Sequence, residues 1–304
     1  MNTQQTRRHQ ISNPRRTRIA AQARWFLAAV IAAGLCLAPM PARAVPILPN
    51  AVPTVVLNGA EPQSTIAYHP GTDKYYASDT GYLLSRGYVW DAAGTLLQTY
   101  TPLNIDVRAW NYNANTGNVE LIANNPGGLW TVGLGGGGLL NGSNVSTLPA
   151  MATSLQPAYD VNHDRFYSRN NGSNVFVRSR VDGTFLAPIT LDLAAAGSPT
   201  LTSFFIGYDE AFDVLITVDH PNSRAMVFAL DGSYLGASVL PVIATPAMYY
   251  TGYTNGQLFV TNQDPFGVYG VDGFQIFVPE PATLFVMAAA GLPLLLKRKR
   301  KSRA

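Results

Sequence analysis

Five tyrosines, Tyr68, Tyr112, Tyr159, Tyr208 and Tyr253, recur at intervals of 44, 47, 49 and 45 residues. Each closes a short apolar run and opens a polar turn. The first run is Thr65-Ile66-Ala67-Tyr68, followed by His69 to Asp73; the third is Pro157-Ala158-Tyr159, followed by Asp160 to Asp164; the fourth is Phe204 to Tyr208, followed by Asp209 to Asp213. A second apolar run follows each turn: Lys74 to Ala77, Val119 to Ile122, Arg165 to Ser168, Val214 to Thr217 and Gln257 to Val260. A third then enters a glycine turn and a fourth. Val175 to Val181, Asp182-Gly183 and Thr184-Phe185-Leu186 give the fullest example, with Met226 to Leu230 before Asp231-Gly232 and Val268 to Val271 before Asp272-Gly273 as counterparts. Asp-Gly between alternating apolar runs signals a hairpin, because the turn needs positive φ.

Units of about 46 residues with four short strands have the size of a propeller blade. A single blade cannot cover both of its faces, whereas a ring of blades buries those faces and leaves only short edges. The expected fold is therefore all-β, a β-propeller of five four-stranded blades over residues 65–277. A strand from Pro53 to Leu57 is left over within the linker 45–64, available to close the ring on the last blade. A β-sandwich, or two small β domains, is the alternative that the same pattern allows. The repeats resemble YVTN-type surface-propeller repeats, most clearly at Gln257-Leu258-Phe259-Val260-Thr261-Asn262.

Charge separates the chain into a body and two ends. Residues 45–278 carry 8 basic and 17 acidic side chains, a formal charge of −9, while residues 1–44 and 297–303 carry 7 and 6 basic residues and no acid. An acidic body excludes nucleic acid as a partner, which needs a basic face on the folded part. One cysteine, Cys36, rules out a disulfide framework and a cysteine-based zinc site.

Residues 1–44 read as a secretory signal peptide. A basic lead precedes an apolar run from Trp25 to Leu37, Pro39 and Pro41 end the helix, and Ala42-Arg43-Ala44 supplies small residues for signal peptidase, with cleavage after Ala44. Leu35 before Cys36 does not suit a lipobox. The pairs Arg7-Arg8 and Arg15-Arg16 lack the apolar residues that twin-arginine export requires, so the Sec translocon is the expected route.

At the other end, Val278-Pro279-Glu280-Pro281-Ala282 leads into an apolar segment from Ala282 to Leu296, and Lys297, Arg298, Lys299, Arg300 and Lys301 follow at once. Fifteen residues make a helix of about 22 Å, short for a bilayer core of ~30 Å, a mismatch that snorkelling of Lys297 and local thinning absorb. The basic cluster acts as a membrane stop and orients the tail to the cytoplasm. The motif, helix and basic tail, in that order, resemble the PEP-CTERM sorting signal of Gram-negative bacteria, over residues 278–304. The resemblance implies processing near Pro279-Glu280-Pro281 by an exosortase-type membrane protease, export alongside exopolysaccharide, and passage from a transient inner-membrane anchor to the cell surface, outer envelope or extracellular matrix.

No catalytic signature emerges from the body, and no cofactor or metal is expected. Asp160-x-Asn162-x-Asp164 resembles the start of a calcium loop, yet Arg165 stands where that loop needs Gly and Asn171 where it needs Glu. A strand-connecting turn with Asx hydrogen bonds accounts for the same residues. Gly133-x-Gly135-x-x-Gly138 fits a dinucleotide fingerprint only formally, because no helix follows to receive a phosphate. It reads instead as a hairpin loop. His69, His163 and His220 form no metal-ligand spacing and no triad. As channel carboxylates for a glycosidase, the innermost strands offer Asp106, with Glu61 before its strand and Asp160 and Asp209 after theirs. Tyr82, Tyr88, Trp90, Trp110, Trp130, Tyr249 and Tyr250 are candidate stacking platforms for sugar rings. The expected function is a non-catalytic surface or matrix module associated with exopolysaccharide. A polysaccharide-acting propeller enzyme, glycosidase or lyase, and a calcium-stabilised adhesion module are the alternatives.

Overall fold

A computed structural model describes residues 45–60, 62–241, 251–263 and 269–278. Glu61, Tyr249, Tyr250, the Ala42–Ala44 cleavage site, the 279–282 part of the sorting motif, the apolar segment 282–296 and the basic tail lie outside the described residues. Among the described residues no helix is long and apolar enough to cross a membrane. The fold is all-β, with short 3-10 turns at Gly136–Gly138 and Pro149–Met151.

The chain enters on β1 (Ile47–Leu57) and then runs through antiparallel meanders. The first holds β2 (Ala67–His69), β3 (Lys74–Ser78), β4 (Gly87–Asp91) and β5 (Leu96–Tyr100). The second holds β6 (Asp106–Asn113), β7 (Asn118–Asn125), β8 (Gly127–Thr131) and β9 (Val145–Leu148). The third holds β10 (Ala158–Asp160), β11 (Arg165–Arg169), β12 (Asn174–Ser179) and β13 (Ile189–Thr190). The fourth holds β14 (Gly207–Asp209), β15 (Val214–Asp219), β16 (Arg224–Ala229) and β17 (Tyr234–Val239). The fifth has β18 (Thr251–Thr254), β19 (Gln257–Gln263) and β20 (Tyr269–Phe277), and takes its fourth strand from the start of the body: β1 pairs antiparallel with β20, from Ile47 opposite Phe277 to Leu57 opposite Val271. A parallel bridge from Asn50 to Val239 ties β1 to β17 as well, merging the fourth and fifth meanders into one eight-stranded sheet.

The first strands touch in the cyclic order β2, β6, β10, β14, β18 and back to β2, so the meanders form a propeller-like ring. Its core is divided among the gaps between neighbouring sheets. Tyr76, Val89, Trp110 and Val119 fill the first gap, Ile122, Met151 and Phe166 the second, and Tyr167, Val177, Leu215 and Phe228 the third. Phe205, Val227, Leu258 and Ile276 fill the fourth, and Leu57, Tyr75, Trp90 and Phe259 the fifth. Both faces of each meander are thereby covered by the next, which is why the strands carry near-continuous apolar runs such as Val214–Val218. Near the axis the backbones approach so closely that a side chain is excluded at Gly207, where an added Cβ would meet the Tyr253 Cβ at 2.6 Å.

Two local expectations are corrected. Asp272-Gly273 is not a hairpin turn: both residues lie inside β20, opposite Val260 and Phe259 on one side and Val56 and Val55 on the other. With the fourth strand supplied by β1, the chain has no reason to turn back after β20. Thr184-Phe185-Leu186 contributes only an isolated bridge from Phe185 to Arg178, and the fourth strand lies further on at β13, beyond Pro188. The Gly133–Gly138 run lies in the β8–β9 connection, where a bridge from Leu134 to Leu140 closes a hairpin loop.

Candidate functional site

The turn that ends each first strand builds the site. In the first, third and fourth meanders the residue five places after the tyrosine is an aspartate in the left-handed region, Asp73 (φ 54°), Asp164 (φ 50°) and Asp213 (φ 57°). Asp tolerates this conformation better than most side chains. Each aspartate accepts a hydrogen bond from the hydroxyl of its own tyrosine: Tyr68 to Asp73, Tyr159 to Asp164 at 2.8 Å and Tyr208 to Asp213 at 2.7 Å. Gly117 (φ 72°) takes the equivalent place after Tyr112, and the fifth turn is a tight Asn255-Gly256 hairpin with positive φ at both positions. There the Tyr253 hydroxyl crosses to Asp209 of the preceding meander.

Because the first strands form the inner wall of the ring, their ends converge. Tyr68, Tyr112, Tyr159, Tyr208 and Tyr253, one from each meander, surround a cavity of about 330 Å³. Trp110 borders it from the core side, its buried indole stacked on Tyr76 and donating Nε1 to Ser78 Oγ at 2.9 Å. The wall is stitched together across meanders. Tyr68 N donates to Thr254 Oγ1 at 3.0 Å, Tyr159 N to Asn111 Oδ1 at 3.2 Å, and Asn162 Nδ2 to the Tyr208 hydroxyl oxygen at 2.8 Å. His69 lies against Tyr112, ring centroids 4.9 Å apart.

These contacts define what the site can do chemically. The hydrogen bond to Asp73, with some burial, pushes the Tyr68 hydroxyl up to about 12. Burial, then the carboxylates, raise Tyr159, Tyr208 and Tyr253 as well. These four hydroxyls stay neutral and committed, so their rings act as walls rather than as acids, bases or nucleophiles. Asp209 is committed too, accepting from Ala211 N, Phe212 N and the Tyr253 hydroxyl. Two lining groups are not. The Asn111 side-chain nitrogen is buried and has no hydrogen-bond partner among the described residues. The Glu210 carboxylate, on an exposed residue in the turn after β14, makes no hydrogen bond or ion pair with any described residue, and partial desolvation followed by the Asp209 charge holds its carboxyl above the usual range. The cavity therefore offers aromatic walls, one unused donor and one unused carboxylate, a composition suited to a small polar ligand with carbon faces.

The other predicted residues fall elsewhere. Asp160 is fully buried, and its carboxylate accepts from Arg165 Nε at 2.9 Å and the Tyr167 hydroxyl at 2.6 Å, and meets His163 Nδ1 at 2.9 Å. Asn162 serves Tyr208 and Glu210 O, and Asp164 serves Tyr159, so the three residues of the calcium-loop pattern have three separate sets of partners. Ligand atoms of Asp160, His163 and Asp213 do gather within 4.8 Å, but a cation there would have to displace the Arg165 guanidinium from Asp160. Asp106 begins β6, at the opposite end of the ring from the tyrosines. It is buried and holds Arg108 at 2.7 Å, Gly81 N at 2.8 Å and Asn124 Nδ2 at 3.3 Å.

Among the candidate platforms, Tyr88 and Trp90 are core residues, and Tyr82 is exposed in the β3–β4 connection, away from the cavity. Trp130 is half-buried against the core. Trp110 borders the cavity, but its ring is buried in the core against Tyr76 and offers no open face. The five spaced tyrosines, Asn111 and Glu210 were not legible as a site. The tyrosine spacing was the available signal, but it marks the repeat and not the convergence.

No protein-family model and no curated protein matches the chain. Among solved structures, a glutaminyl cyclase from Myxococcus xanthus is similar with a TM-score of 0.53 and 11% identity, covering 77% of this chain and all of that one. A luciferin-regenerating enzyme is similar with a TM-score of 0.40 and 11% identity, covering 73% of this chain and 95% of that one. At such identity the first likeness is one of fold alone, and it agrees with the propeller-like ring.

Proposed function

We propose that the chain is an exported protein of the cell surface or extracellular matrix, whose five-bladed β-propeller binds a glycan in the tyrosine-lined cavity without acting on it. One observation carries the binding reading: a tyrosine from every blade walls a single cavity that also presents an unpartnered donor, Asn111 Nδ2, and an unpartnered acceptor, Glu210. Aromatic faces take the carbon faces of sugar rings, and the two polar groups take hydroxyls. The acidic body between basic ends, the Ala42/Ala44 cleavage site and the Val278–Ala282 motif with its apolar helix and basic tail support export through the Sec translocon and sorting by an exosortase-type protease. The basic tail is held by anionic headgroups at about 1 kcal/mol per charge.

A glycan-array profile of the purified protein tests the binding reading. Binding should fall at least about 10-fold in Tyr112→Ala and Asn111→Ala. A glycan bound equally by both variants places recognition elsewhere. For sorting, replacing Pro279-Glu280-Pro281 by alanines should leave the protein in the inner membrane; unchanged surface display or release defeats that part.

An enzymatic reading has one observation in its favour, the adjacent carboxylates Asp209 and Glu210 in the cavity lining, since glycoside hydrolysis uses a pair of carboxyl groups. Turnover of any bound polysaccharide that disappears in Glu210→Gln would replace the non-catalytic account.

A further inference from the structure

We propose that the ligand of this cavity is a cationic glycan, a hexosamine polymer with free amino groups, in preference to a neutral or uronic-acid polymer. The inference rests on the glycan reading above and names the class of sugar.

Its first support is the charge of the wall. The described lining residues include Asp209 and Glu210 and no lysine, arginine or histidine. Outside the lining, Asp73, Asp164 and Asp213 are three further carboxylates, each accepting from the hydroxyl of a lining tyrosine. The nearby basic side chains stay outside the lining: Lys74 Nζ donates to Thr72 O at 3.0 Å, Arg165 holds Asp160, Arg180 holds Glu120 and lies 3.9 Å from Asp164, and His163 lies between Asp160 and Asp213. A uronate in the cavity would thus meet the carboxylates of Asp209 and Glu210 with no cation in the lining. An ammonium would meet them as counter-charges.

The second support is the pairing of groups within the cavity. Glu210 is the lining carboxylate with no partner among the described residues, and it stands next to Asp209 at the end of the strand that carries Tyr208. An ammonium at this place gains a charge-assisted hydrogen bond to Glu210 and lies beside tyrosine faces that attract cations. Desolvation first and the neighbouring Asp209 charge second raise the Glu210 carboxyl, and a bound amine supplies a counter-charge to both acids. Asn111 Nδ2, the orphaned donor across the cavity, then takes a ring hydroxyl. An N-acetyl group would remove the charge that Glu210 recognises.

The test is a titration of the full purified protein with a glucosamine tetramer, its N-acetylated counterpart and a galacturonic acid tetramer, at low and high salt. The glucosamine tetramer should bind at least about 10-fold more tightly than the acetylated one, weaken as salt rises, and lose about 10-fold in Glu210→Gln. The galacturonic acid tetramer should not compete. Equal or tighter binding of the acetylated tetramer that still depends on Tyr112 overturns the amine inference and leaves the glycan reading standing. If the galacturonic acid tetramer binds best, or Glu210→Gln binds the glucosamine tetramer as the wild type does, the amine inference falls. No binding of any probe overturns both.

Discussion

Leu57 closes the ring, and its loss should be costly in a way that its strand neighbours' loss is not. It ends β1, is fully buried, and sits among Tyr75, Tyr88 and Trp90 of the first meander and Phe259 and Val271 of the fifth. Leu57→Ala therefore opens a cavity in the gap between the last and first meanders, which a strand from the far end of the sequence seals. Transfer and cavity terms together place the cost at about 3–4 kcal/mol. For a ring of this size that corresponds to a drop of roughly 6–15 °C in Tm. Val52, on the same strand but 47% exposed, is the control, and Val52→Ala should stay within about 0.5 kcal/mol. Urea unfolding followed by tryptophan fluorescence reads the event directly, because Trp90 shares the cluster and its Nε1 donates to Asn58 O at 2.8 Å, one residue beyond Leu57. At an m-value of about 2–3 kcal/mol/M the midpoint should move by roughly 1–2 M for Leu57→Ala. If the two substitutions shift the midpoint alike, β1 is not the strand that seals the ring.

Three further outcomes follow from the same packing. Gly94 has φ +86°, and an added Cβ would lie 1.9 Å from Val56 O, so Gly94→Ala should lower stability by about 2–4 kcal/mol or prevent folding, measured by yield and urea midpoint. Arg169 is fully buried with no acid beside it among the described residues; burial pulls its guanidinium down to about 10, and it donates to the carbonyls of Asn170, Gly172, Thr202 and Phe205. Arg169→Met should cost about 2–4 kcal/mol of unfolding free energy by leaving those carbonyls unsatisfied, and Arg169→Lys should not restore it, since one ammonium cannot span the four. Glu210 has a raised carboxyl when folded, so its contribution to stability is full below the ordinary value of 4.5 and is lost as pH climbs through the folded value. Glu210→Gln should therefore flatten that part of the Tm–pH curve and leave Tm at pH 7 at or above that of the wild type; a clear fall at pH 7 would contradict the assignment.

The parts of the fold that the sequence carried are those fixed by local pattern. Second strands such as Val214 to Thr217 are buried on both faces and read as unbroken apolar runs. Outer strands are a different case. Leu96–Tyr100 alternates between half-buried and exposed, and β13 has two residues, so neither stands out from loop sequence. Asp272-Gly273 shows a different failure: its local chemistry is that of a hairpin, and only the arrival of β1 from the far end of the chain makes it strand interior. The site was hidden for a related reason. Tyr68 and Tyr208 are far apart in sequence and meet only because a closed ring brings all first-strand ends to one axis. The spacing announced the repeat, and ring geometry turned the repeat into a cavity. Trp90 and Tyr88 were misread because an aromatic-rich chain gives no indication of which rings pack between blades.

Hydroxyl-radical footprinting of the full protein, with and without its bound glycan, tests the central claim most directly. Ligand should protect Pro70, Tyr112 and Val161 at the cavity and leave the exposed edge residues Val181 and Phe185 and the opposite-end residue Tyr82 unchanged. Protection at Tyr82 or along Val181 and Phe185, with the cavity residues unaffected, would contradict it.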